Sequence, residues 1–396
     1  MKILHVVPSI SLVYGGPSQM VLGLCAALAD QGIDVTILTT NSNGDTGQLP
    51  LEVPLGVPIL QKGYQIIYFP CSPFRRYKFS LQLLQWLANH ASDYDIAHIH
   101  ALFSPVSTAA ATIARYCHLP YILRPLGTLD PADLQKKRLL KQFYGTFLER
   151  PNLAGAAGVH FTTEQEAKIS HRYGVKTQDL VIPLGVSLPD NCPPYGQIRQ
   201  NLGIPNNLPL LLFMSRIDPK KGLNLLLAAG ENLVKREVKF HLVIAGSNPQ
   251  DPTYEAQIQE QISKSCLAKH TTITGFVKGE LKLGLLQDAD LFVLPSYYEN
   301  FGIAVAEAMA MNIPVVISEG VYIWPDIQEV AAGWVTSLDI EMLTNTLETA
   351  LNNPQERQKR GENARQLVLN RYQWPVIAQQ MIKTYANLIS PTEPIM

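Results

Sequence analysis

The chain has 396 residues, 46% hydrophobic and 16% charged, with a formal net charge of −1 and a pI near 6.8. That length admits two or three domains, and so apolar a composition excludes a disordered chain. The near-neutral balance excludes a dedicated nucleic-acid binder, and no window of about twenty apolar residues predicts a membrane-spanning helix.

The opening MKILHVVPSI lacks the apolar core and small-residue cleavage site of a secretory signal, which predicts a cytoplasmic protein. KILHVV, DVTILTT and DIAHIH are short apolar runs that read as parallel strands of an α/β sheet. After the first comes YGGPSQMVLGLCAALADQG, a predicted helix with Pro17 in its first turn. Met20, Leu24, Ala27 and Leu28 form its apolar stripe, and Gly32 closes it. Gly15 and Gly16 lie where strand turns into helix, either as a tight turn or as a place where backbone approaches a phosphate.

VIPLGVSLPDNCPPYGQ suits a linker, and the rhythm then restarts with PLLLFMS, FHLVIAG, TTITGF, LFVLP and IPVVIS. Five strands alternating with helices predict a second doubly wound sheet. The expectation is α/β: two Rossmann-like lobes, residues 1–190 and 198–373, facing each other across a cleft beyond their strand carboxyl ends. RYQWPVIAQQMIKTYANLI reads as an amphipathic helix interrupted near Pro375, with Val376, Met381, Ile382 and Tyr385 apolar. Residues 374–392 are expected to pack back on the first lobe. Five scattered cysteines without metal-ligand or CxxC spacing are expected to be reduced, mostly buried thiols.

In MSRIDPKKGLNLLLAA, Arg216 and Lys221 follow the first strand of the second half and flank the start of a helix. A guanidinium and an ammonium there suit a diphosphate clamp, and the alternative is a solvated pair near Asp218. Neither GxGxxG nor GxxxxGK[ST] is present, so no dinucleotide or P-loop site is expected. SYYENFGIAVAEAMAMNIPVV carries Glu299 and Glu307 on either side of Phe301, Gly302 and Ile303, which begin a predicted helix. Two carboxylates beside an anion clamp suit a polyhydroxylated phosphate ester. The alternative is a helix-terminal charge at Glu299 and a surface-facing Glu307.

ENFGIAVAEAMAMNIPVV resembles the E-x7-E signature of retaining GT-B glycosyltransferases, specifically glycosyltransferase family 4. SRIDPKKGLNLLL is similar to that family's S/G-R-x-x-x-x-K-G segment, and VYGGPSQMVLGLCAALADQG to its amino-terminal GG loop and helix. The resemblance covers nearly the whole chain. It implies transfer of a sugar from a nucleotide diphosphate sugar with retained configuration and no tightly bound metal or cofactor. UDP-sugars are favoured over GDP-sugars. The resemblance assigns Arg216 and Lys221, with Ser215 in the same segment, to the diphosphate, Glu307 to ribose and Glu299 to the donor sugar. The amides of Phe301, Gly302 and Ile303 would contact sugar or phosphate, Gly275, Phe276 and Val277 would frame the base, and Gly15 and Gly16 would lie under the phosphate.

This chain departs from the family near ILRPLGTLDP, where Leu126 stands at the position of a histidine found in many relatives. Arg124, or His100 at an exposed strand end, is expected to take over contacts with the donor sugar, while His98 reads as a core histidine.

DLQKKRLLKQFYGTFLERPNL and SPFRRYKFSLQLL mix basic with apolar residues, which suits peripheral attachment to an anionic inner membrane face through 136–150 and 75–79. An amphipathic helix packed on its own sheet explains the first stretch equally well. The expected acceptor is a glycan or lipid-linked glycan, and the amino half resembles enzymes of bacterial, cyanobacterial-type exopolysaccharide synthesis. Three rival readings are a two-lobed sugar- or nucleotide-binding protein without transferase activity, a sugar-nucleotide epimerase and a phosphorylase.

Overall fold

Strands such as Leu210–Met214 (LLLFM) and Leu291–Leu294 (LFVL) are apolar at every position, the pattern of parallel strands covered on both faces, and both are wholly buried. A computed structural model of the chain describes residues 1–44, 48–71, 78–135, 138–189, 191–249 and 251–390. It forms two units: residues 1–185 joined by the terminal segment from Trp374, and Val186–Gln373.

In the first unit the strands are β1 (Lys2–Val6), β2 (Asp34–Thr40), β3 (Pro58–Gln61), β4 (Tyr64–Phe69), β5 (Ile96–His100), β6 (Tyr121–Arg124), β7 (Gly158–Phe161) and β8 (Asp179–Val181). They lie in the order β3-β4-β2-β1-β5-β6-β7-β8, and only the β3–β4 pair is antiparallel. That pair is a two-residue hairpin at Lys62 and Gly63, whose φ angles of 45° and 80° match the right-handed twist of the strands. The second unit holds β9 (Leu210–Met214), β10 (His241–Ala245), β11 (Thr271–Gly275), β12 (Leu291–Leu294), β13 (Val315–Ser318) and β14 (Gly333–Thr336). Its order is β11-β10-β9-β12-β13-β14, and every pairing is parallel.

The sequence pattern predicts three strands in the first half and five in the second. The additional strands are mostly three or four residues long, too short to display a period of their own, and β14 (GWVT) begins with a glycine.

The helix Gly16–Asp30 follows β1 with Pro17 in its first turn, and it buries Met20, Leu24, Ala27 and Leu28. The terminal helix Trp374–Ile389 is continuous. Pro375 falls in its first turn, where a missing N–H leaves no hydrogen bond unmade, and so does not interrupt it. Its buried face is Ile377, Ala378, Met381 and Tyr385, and the expected Val376 and Ile382 are only partly covered. These side chains share a core with Ile3, Val7, Leu24, Leu28 and Ile96 of the first unit. The Trp374 ring lies against Gly23 and Gly185, where a β-carbon would come within 2.4 and 2.2 Å of it.

Of the cysteines only Cys25 is buried; Cys117, Cys192 and Cys266 are exposed and all five are free. The expectation of mostly buried thiols fails because three of them fall at helix ends or in loops rather than on an apolar face.

Tyr385 donates its hydroxyl to His98 Nδ1 at 2.8 Å in this fully buried layer. Tyr385→Phe should destabilise the protein by about 1–3 kcal/mol, because the imidazole nitrogen is left buried and unpaired. Urea denaturation checks this, and an unchanged midpoint would contradict it.

Candidate active site

Each sheet contains one point where the chain reverses its direction of travel: between β1 and β5 in the first unit, and between β9 and β12 in the second. Ligands of open α/β sheets bind beyond the strand carboxyl ends at such points. The loops leaving β9 and β12 carry Ser215, Arg216, Lys221 and Glu299, and those leaving β1 and β5 carry Gly15, Gly16 and Ala101–Ser104.

In the second unit, Asp218 caps a short 3-10 turn, Pro219–Lys221, by accepting the Lys220 amide at 3.1 Å. Gly222 then starts the helix Leu223–Lys235 at φ 70°, with its Cα so close to the Pro295 carbonyl that a β-carbon would sit 1.8 Å from that oxygen. This glycine lets the loop after β9 press against the end of β12. Lys221 Nζ consequently forms an ion pair with Glu299. The Glu299 backbone is fixed on its other side, donating to Gly320 O at 2.8 Å while its carbonyl accepts from Tyr322 at 2.9 Å. Arg216 is exposed and makes no ion pair among the described residues.

The next helix is Ile303–Ala310, with Gly302 at its amino end in the left-handed region (φ 81°) and no side-chain cap. Its first amides are therefore unpaired donors at a positive dipole end. Phe301 is buried and meets the Tyr372 ring edge-on, 5.1 Å between centroids, so only its main chain can face a ligand. Glu307, on an otherwise apolar helix, is half-buried and paired with Lys282 at 2.6 Å. Asn300 Oδ1 is buried with no hydrogen-bond partner. At the end of β11, Gly275 has φ 70°, Phe276 is exposed and Val277 is buried.

In the first unit, Gly15 (φ 69°) has open space where a side chain would be, and Gly16 begins the helix. Strained backbone clusters at the ends of β5 and β6: Ala101, Phe103 and Leu126 have φ of 67°, 60° and 57°. Non-glycine residues in the left-handed region persist only where their surroundings over-determine them.

Under the terminal helix, His5, His98, His100, His160 and Arg124 share one face of the sheet, since His5 pairs with His98 and His100 with Arg124 across strands. The Ile182 carbonyl can only accept, so His160 Nε2, 2.9 Å away, carries a proton. In neutral rings that order propagates. His98 Nε2–H donates to His160 Nδ1 (3.3 Å), and His98 Nδ1 accepts from Tyr385 (2.8 Å). His5 Nδ1 and His100 Nε2 are 3.0 Å apart, while His5 Nε2 and His100 Nδ1 have no partner. Burial keeps all four rings neutral by lowering their pKa values, to about 3 for His5 and His160. Burial also pulls Arg124 down to about 10, opposed by the carboxylate of Glu166, which accepts the amide and hydroxyl of Thr162, each at 2.8 Å. One ring nitrogen each of His5, His98 and His100 lie within 4.8 Å of one another, a spacing that admits a cation. Both nitrogens of His98 are already engaged, however, and Arg124 already places a positive charge beside the cluster.

Two family models match the chain: "Glycosyl transferase 4-like domain" over residues 15–185 and "Glycosyl transferases group 1" over residues 195–367. The chain belongs to the group 1, family 4 glycosyltransferases. It is 27% identical over 325 residues to an MMP alpha-(1->4)-mannosyltransferase of Mycolicibacterium hassiacum, covering 79% of this chain and 75% of that one. Its fold is similar to that of a sucrose-phosphate synthase from Thermosynechococcus elongatus (TM-score 0.78, 21% identity, 99% and 100% coverage). Similar too is Anabaena HepE solved with UDP and glucose (TM-score 0.73, 20% identity, 98% and 100% coverage). The two parallel-sheet units are thus those of a GT-B fold.

Two sequence expectations for this glycosyltransferase need correction. His100, expected at an exposed strand end, is fully buried because its ring points to the sheet face beneath the terminal helix. Arg124 is buried on the same face, so neither side chain is open to a ligand as the structure stands. His98 is a core histidine with both nitrogens partnered.

Sequence reasoning missed Lys282, His5, His160 and Glu166, and it read Tyr385 only as part of an apolar stripe. The alternation of His98 and His100 was a usable sign that both share a sheet face; Lys282 gave no sign, lying 25 residues before its partner.

Because the histidines are neutral when folded and ordinary when unfolded, the unfolded chain binds more protons between pH 6.5 and about 3. Stability should therefore fall as pH drops through that window, by about 1.4 kcal/mol per pH unit for each histidine. His160→Gln should flatten this acid limb relative to wild type in urea titrations run at successive pH values. Buried Glu149 and Glu166, whose pKa values are raised by burial, act in the opposite sense but equally in both proteins.

Proposed function

We propose that the protein transfers a sugar from a nucleoside diphosphate sugar to a glycan or lipid-linked acceptor in polysaccharide biosynthesis. Configuration is retained and no tightly bound metal takes part. The observation that carries this reading is the cationic group at the β9/β12 reversal: exposed Arg216, without an ion pair among the described residues, next to Lys221, which is paired with Glu299. Arg216 and Lys221, with Ser215 beside them, hold the diphosphate, and its arrival competes with Glu299 for the lysine. The carboxylate thereby released turns to the donor sugar's hydroxyls. Glu307, oriented by Lys282, accepts hydrogen bonds from ribose. The amides of Phe301, Gly302 and Ile303 add donors at a helix amino end, and Gly275, Phe276 and Val277 frame the base.

In the first unit, the open space at Gly15, beside Gly16 at the helix start, leaves room for phosphate.

The acceptor hydroxyl attacks the anomeric carbon on the face from which the diphosphate departs. The new C–O bond forms as the old one breaks, the hydroxyl proton passes to the leaving phosphate oxygen, and no enzyme nucleophile is needed. Positioning and stabilisation of the departing charge supply the acceleration. A UDP-sugar is favoured, as the structurally similar HepE is solved with UDP and glucose, and a GDP-sugar is the second candidate. Family membership speaks for a transferase over a binding protein or an epimerase. Peripheral attachment to the inner membrane face from the cytoplasm completes the reading.

UDP, GDP and ADP should be compared by thermal unfolding of the wild type and of Arg216→Ala. At about a hundred times its dissociation constant, the nucleotide of the true donor should add about 2.7 kcal/mol to the wild type and far less to the variant. Stabilisation by none of the three would refute the clamp.

A further inference from the structure

The helical segment that begins at Arg138 is inside out. It runs through Arg138–Tyr144, the π-helical Gly145–Glu149 and Arg150–Gly155. Its acid and amide face the core: Glu149 is 1% exposed and Asn152 is 0% exposed. Glu149 accepts the Phe103 amide at 2.7 Å and the Thr108 hydroxyl at 2.8 Å, and the Asn152 amide donates to Thr108 O at 2.9 Å. Leu153 also packs into the core, but the large apolar side chains of 139–148 face solvent instead: Leu139 is 83% exposed, Leu140 63%, Phe143 63%, Phe147 62% and Leu148 46%. The rings of Phe143 and Phe147 lie 4.7 Å apart, so the apolar surface is continuous. An amphipathic helix packed on its own sheet would show the opposite arrangement, and an exposed contiguous apolar patch marks a surface meant for something else.

The charges around the patch say what covers it. Arg138 and Arg150 are exposed at its two ends, Lys141 is neutralised by Asp133 at 2.6 Å, and Glu149, the sole acid between 138 and 155, is buried. The exposed face is therefore apolar and cationic. A second copy docked about a two-fold axis would set these arginines against their own equivalents, whereas anionic headgroups complement them and the acyl boundary takes the apolar side chains. Lys136, Lys137, Arg75 and Arg76, expected from the sequence to add to this surface, lie outside the described residues. Lys78 is half-buried with its ammonium 4.3 Å above the Tyr14 ring, so it is not a surface cation of this kind.

We propose that residues 138–148 form a membrane-docking element that seats Leu139, Leu140, Phe143, Phe147 and Leu148 in the headgroup region of an anionic bilayer. This deepens the peripheral attachment proposed above and is independent of the donor assignment.

Flotation with vesicles of phosphatidylcholine alone, or mixed with phosphatidylglycerol, tests it. The wild type should bind the mixed vesicles at low salt and be released as salt rises. Phe143→Ser with Phe147→Ser should lower the bound fraction about tenfold or more through lost apolar insertion. Both positions are exposed, so thermal stability and any nucleotide-induced shift should be unchanged. Phe143→Trp should shift its emission to the blue on mixed vesicles, and Tyr116→Trp, at another exposed site, should not. Failure of the wild type to bind, or equal binding by the double variant, overturns the proposal. So does a dimer that the double variant abolishes, which would assign the patch to a second copy. Loss of the nucleotide shift in otherwise vesicle-competent wild type would refute the donor reading alone.

Discussion

A parallel sheet has two faces to cover, and in the first unit part of one cover arrives from the far end of the chain. The terminal helix brings Met381 and Tyr385 down on a face that carries four histidines and an arginine as well as aliphatic side chains. Burying those rings is tolerable only because they stay neutral and most of their nitrogens are paired. The carbonyl of Ile182 sets the proton on His160, His160 sets that on His98, and His98 leaves one acceptor that here takes an O–H. Tyr385 is that O–H. Residues 186–373 are consequently an insertion between two parts of one folding unit.

The two reversal points are built alike but filled differently. Beyond β9 and β12 the ionisable groups are part-exposed and held in pairs that a ligand can break, Lys221 with Glu299 and Lys282 with Glu307. Beyond β1 and β5 there are glycine, open space and strained backbone, while the titratable groups lie beneath the sheet surface. Among the described residues, the ion pairs at a reversal point that a ligand can break sit in the second unit. The first unit offers shape and a low-dielectric layer, which is why the proposed donor contacts concentrate in the second.

Glu149 connects two of these features. Its carboxylate fixes the amide of Phe103, one of the strained residues after β5, and the same buried carboxylate turns the helix so that its leucines and phenylalanines face outward. The inverted surface and the loop at the reversal point thus share one buried hydrogen-bonded acid.

The sequence by itself determined two α/β halves, the linker region, the glycine turn after β1, and the placing of Arg216, Lys221, Glu299 and Glu307 at strand ends or on the following helix. Each of these rests on local signals: a run of apolar residues, a glycine or proline at a helix start, a charge at a fixed offset. It also set the apolar–basic composition of residues 138–150, but not which way that helix faces. Only the tertiary structure decided who pairs with whom. Lys282 meets Glu307 across 25 residues, Lys221 meets Glu299 across 78, and His98 meets Tyr385 across 287. Such pairings depend on strand order and register, which no local pattern encodes. For that reason His100 is a buried ring rather than an open one, and the leucines and phenylalanines of 139–148 lie on the outside.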